Sequence, residues 1–306
     1  MAPRDLLTAL LVILLWGINF VPTKVALEDF SPLQLGALRF LLVGVSLVLW
    51  IPRPQVPLRW LLLFALSQGV GQFGLLFYAL QAGMTAAMAS VLMQTQIFFT
   101  ALLGVSLLGE SISRALMLGM AVAGAGLLFF AADVAAGEQF PLDAALGFLL
   151  TLCAAAMWSV SNIVVKKIHG MNPGCPPALL LVWGSLVSGL VFAALSLLTE
   201  DYSGGWRWLA DVGPRSWLSV LYAGWLAGGL AFWLWTVLLT RYPASQVAPF
   251  SLGVPVVGMF AGIVVLGEEV SRLQWIGSAL VMAALVIVVA SSRLTLLRLR
   301  RRYKAD

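Results

Sequence analysis

Two stretches, LGESISRALMLGMA at residues 108–121 and LGEEVSRLQWIGSA at residues 266–279, decide how this chain is organised. Laid over each other without a gap, they agree at half of their fourteen positions. The same register runs backward, placing TAAMASV (85–91) over PASQVAP (243–249). A third pair, WGINFVPTK (16–24) and WSVSNIVVK (158–166), keeps Trp and Lys eight residues apart in both copies. Apolar text aligns easily by chance. Three matches in one order, two of them in one register, mark an internal repeat.

Around these stretches, apolar runs bounded by charge, Pro and Gly lie near 6–27, 32–51, 59–81, 86–108, 113–132, 144–167, 177–199, 215–239, 244–266 and 272–292. Each approaches the ~20 residues that a helix needs to cross the hydrocarbon core. Five runs fall in each copy, and an odd number makes the second copy start from the opposite side. The expected fold is an all-α integral membrane protein, ten transmembrane helices as two inverted five-helix repeats around a central cavity. The expected boundaries are 1–140 for the first repeat, 141–292 for the second and 293–306 for a basic cytoplasmic tail.

Composition agrees. Of 306 residues, 61% are hydrophobic and 10% charged, with a mean hydropathy of +0.99. A soluble domain carries about 25% charged residues. Runs such as Leu10 to Leu15 lack the alternation of a transmembrane barrel strand. The pI near 9.6 does not point to nucleic acid, because the basic residues sit at span ends and in the tail RLTLLRLRRRYK (293–304). One set of alternate loops and both termini carries 13 of the 18 Lys and Arg. Most acids, among them Glu28, Asp29, Asp133, Glu138, Asp143, Glu200, Asp201, Asp211, Glu268 and Glu269, fall on the other side. The excess of Lys and Arg places both termini in the cytoplasm. Arg4 precedes an apolar run too long for a signal peptide, so the first span is read as uncleaved. Cys153 falls in a span and Cys175 in a loop, an arrangement that does not suggest a disulfide.

The W-G-x-N-F pattern at 16–20, the G-E-x-x-S-R turn at 109–114 and its echo G-E-E-V-S-R at 267–272 resemble the EamA-type branch of the drug/metabolite transporter superfamily. The resemblance covers essentially the whole chain and is greatest to bacterial exporters of aromatic and other amino acids. It implies a ten-helix inner-membrane basket that exports small amphipathic solutes without ATP. Independently, no G-x-x-x-x-G-K-[ST] loop is present, and neither cofactor nor metal is expected. The expected partners are small amino acids or metabolites and membrane lipid, with no nucleic acid, and a monomer is compatible with the sequence.

Polar groups inside spans are costly in lipid and mark where function should lie. Trp16, Asn19, Phe20, Thr23 and Lys24 share one helical face by spacing, and Trp158, Ser161, Asn162 and Lys166 repeat it. Helix–helix hydrogen bonding is the plainer explanation for such Asn and Ser residues. The third span adds Gln72 and Tyr78, and the fourth adds Gln94, Gln96 and Thr100. Amides donate and accept, which suits a zwitterion held loosely. The substrate-binding set expected is Trp16, Asn19, Gln72, Tyr78, Gln94, Trp158, Ser161 and Asn162. Arg39 is expected to bond backbone carbonyls or a loop acid such as Glu28, with a substrate carboxylate as the alternative. Glu110 and Glu268 read as caps of the helices they precede, and Lys24 and Lys166 as snorkelling to the interface. Pro22, Pro249 and Pro255 are expected to kink the first and ninth spans.

The sole histidine, His169, lies in a loop and no acid lies mid-span, so an intramembrane enzyme lacks its constellation. The same absence argues for facilitated transport over proton exchange. A multidrug or nucleoside/sugar-type carrier and, less simply, a membrane scaffold remain alternative readings.

Overall fold

The structure, a computed structural model, describes residues 1–109, 113–136, 142–203, 205, 208–242 and 244–302, and the side chains of these except 244, 245, 248, 249 and 291–302. Ten apolar helices follow one another: α1 (Pro3–Ala26), α2 (Pro32–Val48), α3 (Leu58–Gln81), α4 (Ala86–Leu108), α5 (Arg114–Ala136), α6 (Leu142–Met171), α7 (Pro177–Thr199), α8 (Pro214–Arg241), α9 (Phe250–Leu266) and α10 (Arg272–Ala290, continuing helical to Arg302). Eight are long and apolar enough to cross a membrane, and α2 and α9 are shorter. The chain is a multi-pass membrane protein.

Local chemistry sets where these helices begin and end. Pro32, Pro177 and Pro214 open α2, α7 and α8 in the first helical turn, where the missing N–H costs nothing. Ser31 and Gln34 add a reciprocal capping box to α2. The repeated Leu-Gly-Glu has a common backbone meaning. Gly109 and Gly267 both end their helices at φ 66° and ψ 25°, a left-handed conformation that favours glycine. The spans are shorter than the apolar runs in two places. Pro52 follows the end of α2, and Pro249 sits in a 3-10 turn, Ala248–Leu252, leading into α9.

Four helices carry interruptions, and that of α4 is a 3-10 turn at Met93–Thr95. α1 breaks at Asn19 between Pro3–Ile18 and Phe20–Ala26, where Pro22 cannot donate to the carbonyl four residues earlier. α3 widens into a π-helix over Ala65–Gly74, and α8 does so over Tyr222–Leu230. The π-turns were not foreseen from sequence.

Three helix pairs, α2 with α7, α4 with α9 and α5 with α10, form the central packing. Each pair joins corresponding members of the two copies, and each runs antiparallel. In the first, a Cβ at Gly44 would meet the Leu186 backbone at 2.7 Å, and one at Gly189 would meet Leu41 N at 2.8 Å. Leu41 and Gly44 occupy the places in α2 that Leu186 and Gly189 occupy in α7. The contact is therefore made twice, as a twofold axis across the helices requires. In the third pair, a Cβ on Gly126 would meet Gly277 O at 2.9 Å, and one on Gly119 would meet Ala284 O at 3.3 Å. These contacts too are twins in the repeat register. α1 packs on α8 and α9, as α6 packs on α3 and α4.

Loop hydrogen bonds gather the helix ends into two groups. At one end Ser31, Gln34, Ser196, Glu200 and Tyr202 form one network, Asp133 accepts from Ser271 and Gln274, and Gly213 N donates to Asp29 at 3.0 Å. The Ser216 hydroxyl and that N–H hold the Asp29 carboxyl below its ordinary range. At the other end Arg241 pairs with Asp5 at 2.9 Å, Asn172 donates to Gln55 O, and the Trp183 indole donates to the carbonyls of Ile51 and Pro52.

Candidate functional site

α1 contributes its polar face where the helix breaks. The Trp16 indole donates to Ala227 O at 3.0 Å, inside the π-turns of α8, and its ring lies 5.3 Å from Trp235. The Thr23 hydroxyl donates to Asn19 O at 2.7 Å, beside the Thr23 N–H that bonds the same carbonyl at 3.1 Å. The Asn19 side-chain oxygen is buried with no partner.

α4 and α6 meet through a closed network. The Asn162 amide donates to Gln96 Oε1 at 2.9 Å and to Thr100 Oγ1 at 3.1 Å, while the Ser159 hydroxyl donates to Gln96 O at 2.8 Å. Gln94 is buried and donates to Ser251 O, in the 3-10 turn at the start of α9, at 3.2 Å. Ser161 turns its hydroxyl back to Trp158 O at 2.7 Å, and the Trp158 ring packs on the main apolar core. Gln72 is 4% exposed within the α3 π-helix, its Oε1 buried without a partner. Tyr78 is 41% exposed, and no hydrogen bond or ring contact joins it to the other candidates among the described residues. Hydrogen bonds thus tie Asn162 to α4 and Trp16 to α8, and leave Asn19 and Gln72 with free oxygens.

Three expectations, for Arg39, Glu268 and Lys24, need correction. Arg39 bonds neither Glu28 nor a backbone carbonyl. It is 5% exposed, its guanidinium lies 4.1 Å from the centre of the Phe73 ring and 5.8 Å from that of Phe40, and Nη1 is buried without a partner. The positive group rests on the negative face of an aromatic ring. Glu268 is a cap, but not of the helix it precedes. Its carboxylate accepts from Ala86 N at 2.7 Å and Ala87 N at 2.8 Å, the free N–H groups that open α4. The same carboxylate pairs with Lys24 Nζ at 2.9 Å, so Lys24 is held at a carboxylate instead of reaching for the interface. Sequence gave each residue a local role because the partners lie more than 180 residues apart. Glu110, the matching acid in the first copy, lies outside the described residues.

A hollow of about 500 Å³ opens beside Gln81, Ala82, Gly83, Asp143 and Ala144, and an apolar one of about 110 Å³ lies between α4, α9 and α10. None of the sequence-selected candidates lines either. Among the described residues, three buried unpaired polar atoms, those of Asn19, Arg39 and Gln72, lie instead on α1, α2 and α3, with α3 packed on the other two, while Trp60, Trp208 and Ser278 hold the rest. Phe20 and Phe73, the residues that follow Asn19 and Gln72, border the same apolar core. A cationic donor and two amide carbonyl acceptors can bind a small dipolar solute, but they supply no nucleophile and no proton shuttle.

Comparison with known proteins places this arrangement. The model of the EamA-like transporter family matches residues 4–132 and 145–290. A protein of Salmonella typhimurium called a probable amino-acid metabolite efflux pump is 40% identical over 293 residues, covering 96% of this chain and 97% of its own. Its namesake in Escherichia coli is 38% identical over 295 residues with the same coverage. A solved crystal structure at 21% identity superposes with a TM-score of 0.64 over 96% of this chain and 99% of that one, which shows a shared fold.

Proposed function

The chain belongs to the EamA-like transporter family and is a transporter, not an enzyme, and from that premise we propose that it exports amino acids and related small metabolites across a bacterial plasma membrane. All ten helices cross the bilayer in this reading, with residues 1–140 and 141–292 as inverted repeats, both termini cytoplasmic and the tail 293–306 on that side. The repeats exchange conformations about the axis between them and open a central path to one face and then the other. Transport runs down the solute gradient without ATP.

The observation that carries this reading is the doubled contact set of the antiparallel α2·α7 and α5·α10 pairs. A twofold axis lying across the helices makes the two rocking states equivalent in packing. Exchange between two such states is what alternating access requires. The names of the Salmonella and Escherichia coli relatives support amino-acid metabolites as cargo. Trp16, Asn19, Gln72, Tyr78, Gln94, Trp158, Ser161 and Asn162 are the proposed lining of the path. Asn19 and Gln72 have the strongest claim, because each holds a buried carbonyl oxygen that no described residue satisfies.

The test is counterflow in proteoliposomes holding the purified chain, with panels of amino acids, nucleosides and sugars. At least one amino acid is expected to exchange well above empty liposomes, with no accumulation when a pH gradient is imposed at clamped potential. Exchange of nucleosides or sugars with no amino acid exchanging would overturn the cargo assignment.

A further inference from the structure

Among the described residues, Arg39 is the one buried charge without an ion pair. Among the described residues the ion pairs are Lys24 with Glu268 and Arg241 with Asp5, and neither involves it. Burial of a guanidinium without an anion is costly. A ring face offsets part of that cost, but it accepts no hydrogen bond from Nη1 in the guanidinium plane.

The repeat supplies a second, independent argument. The twin contacts of Leu41 with Gly189 and Leu186 with Gly44 place Gly184 of α7 where α2 has Arg39. A Cβ on Gly184 would meet the Phe64 ring at 2.7 Å, so the twin site is filled by packing. The scaffold therefore closes there with no side chain at all. An arginine in the other copy answers a demand that the scaffold does not make.

Unpaired atoms on α3 and α1 have complementary sense. Phe73, under the guanidinium, directly follows Gln72, whose Oε1 is unpartnered, and Asn19 Oδ1 is unpartnered on adjoining α1. All three residues stand well inside their helices. We propose that Arg39 is the carboxylate-binding residue of the transport site, with Asn19 and Gln72 accepting from the ammonium group of the same solute, so that the cargo is a free α-amino acid bound as its zwitterion. The inference rests on the export reading above and narrows it. Amines, esters and nucleosides lack the anion that would neutralise Arg39 on entry.

The amino acid exchanged fastest by wild-type proteoliposomes, chosen from the twenty standard ones, serves as probe beside its decarboxylated amine. Wild type is expected to exchange the amino acid and reject the amine. Arg39→Gln should lose about 10- to 150-fold of amino-acid exchange, the range one hydrogen bond to a charged group carries, and with it the preference over the amine. Arg39→Lys, which keeps the charge, should retain the preference at a reduced rate. Amino-acid exchange by Arg39→Gln within about twofold of wild type would overturn the proposal. So would a wild type that carries the amine as fast as the amino acid, a readout that does not depend on either variant folding. If no amino acid exchanges at all, the export reading fails first and takes this one with it.

Discussion

The two halves share their packing and differ in their chemistry. Leu41 and Gly44 in α2 make the same contact as Leu186 and Gly189 in α7. Gly109 and Gly267 end α4 and α9 with the same dihedral angles, and α3 and α8 both widen into π-turns at the same stage. The polar positions diverge. Asn19 corresponds to Ser161, which bonds its own helix; Arg39 corresponds to Gly184, filled by Phe64; Gln94 corresponds to Leu252, packed on the core. The difference follows from symmetry. A contact across a twofold axis is made twice, by corresponding residues of the two copies, so both copies keep the small residues that the close approach needs. A solute near the axis is itself asymmetric and needs one set of partners.

The largest test of this comparison is all-or-none. With Cys153 and Cys175 replaced by Ser, a membrane-impermeant maleimide applied outside intact cells should modify Asp143→Cys, at the start of α6. It should spare Ala2→Cys, at the start of α1, until the membrane is permeabilised. Labelling of both from one side would abolish the inversion.

Next in size is the link between the halves. Glu268→Ala leaves two helix-opening N–H groups and Lys24 without their carboxylate. Losing a cap and half of an ion pair should destabilise the protein by about 2–3 kcal/mol, below the full buried-pair value because Lys24 is about a third exposed. Denaturant unfolding in detergent reads the loss. A change under about 0.5 kcal/mol would show that the capping is not what holds the halves together.

The smallest effect sharpens the comparison most. Gly44→Ala and Gly189→Ala each force a methyl against the facing helix and should each cost about 1–2 kcal/mol. Their costs are expected to agree within about 0.5 kcal/mol, as twins should. A large inequality, measured in the same unfolding experiment, would mean that the axis is only approximate at its centre.

The class of the molecule, its apolar runs and its duplication were legible because lipid imposes composition and length on every span. The left-handed glycines were visible as the repeated Leu-Gly-Glu, though not their geometry. The π-turns were not, since ALSQGVGQFG and YAGWLAGGL share small residues but no pattern that selects one hydrogen-bond register over another. Lys24 and Glu268 were both noticed and never joined, because a pairing across 244 residues leaves no local mark. Arg39 was singled out by its depth alone. That its Nη1 has no hydrogen-bond partner among the described residues depends on what surrounds it in three dimensions.

The Glu268 cap also sets a timetable. Thr85 can cap Met88 N as soon as α4 forms, but Ala86 N waits for a carboxylate 182 residues further along the chain. At roughly 5–20 residues per second of synthesis, that is on the order of 10–40 s during which the mouth of α4 is unfinished. Through that interval the first five helices reside in the membrane with an incomplete helix start and Lys24 awaiting its carboxylate. Quality-control proteases and insertion chaperones would meet this immature half before the finished carrier exists. Completion of the ninth helix is the moment at which the nascent chain can seal that end.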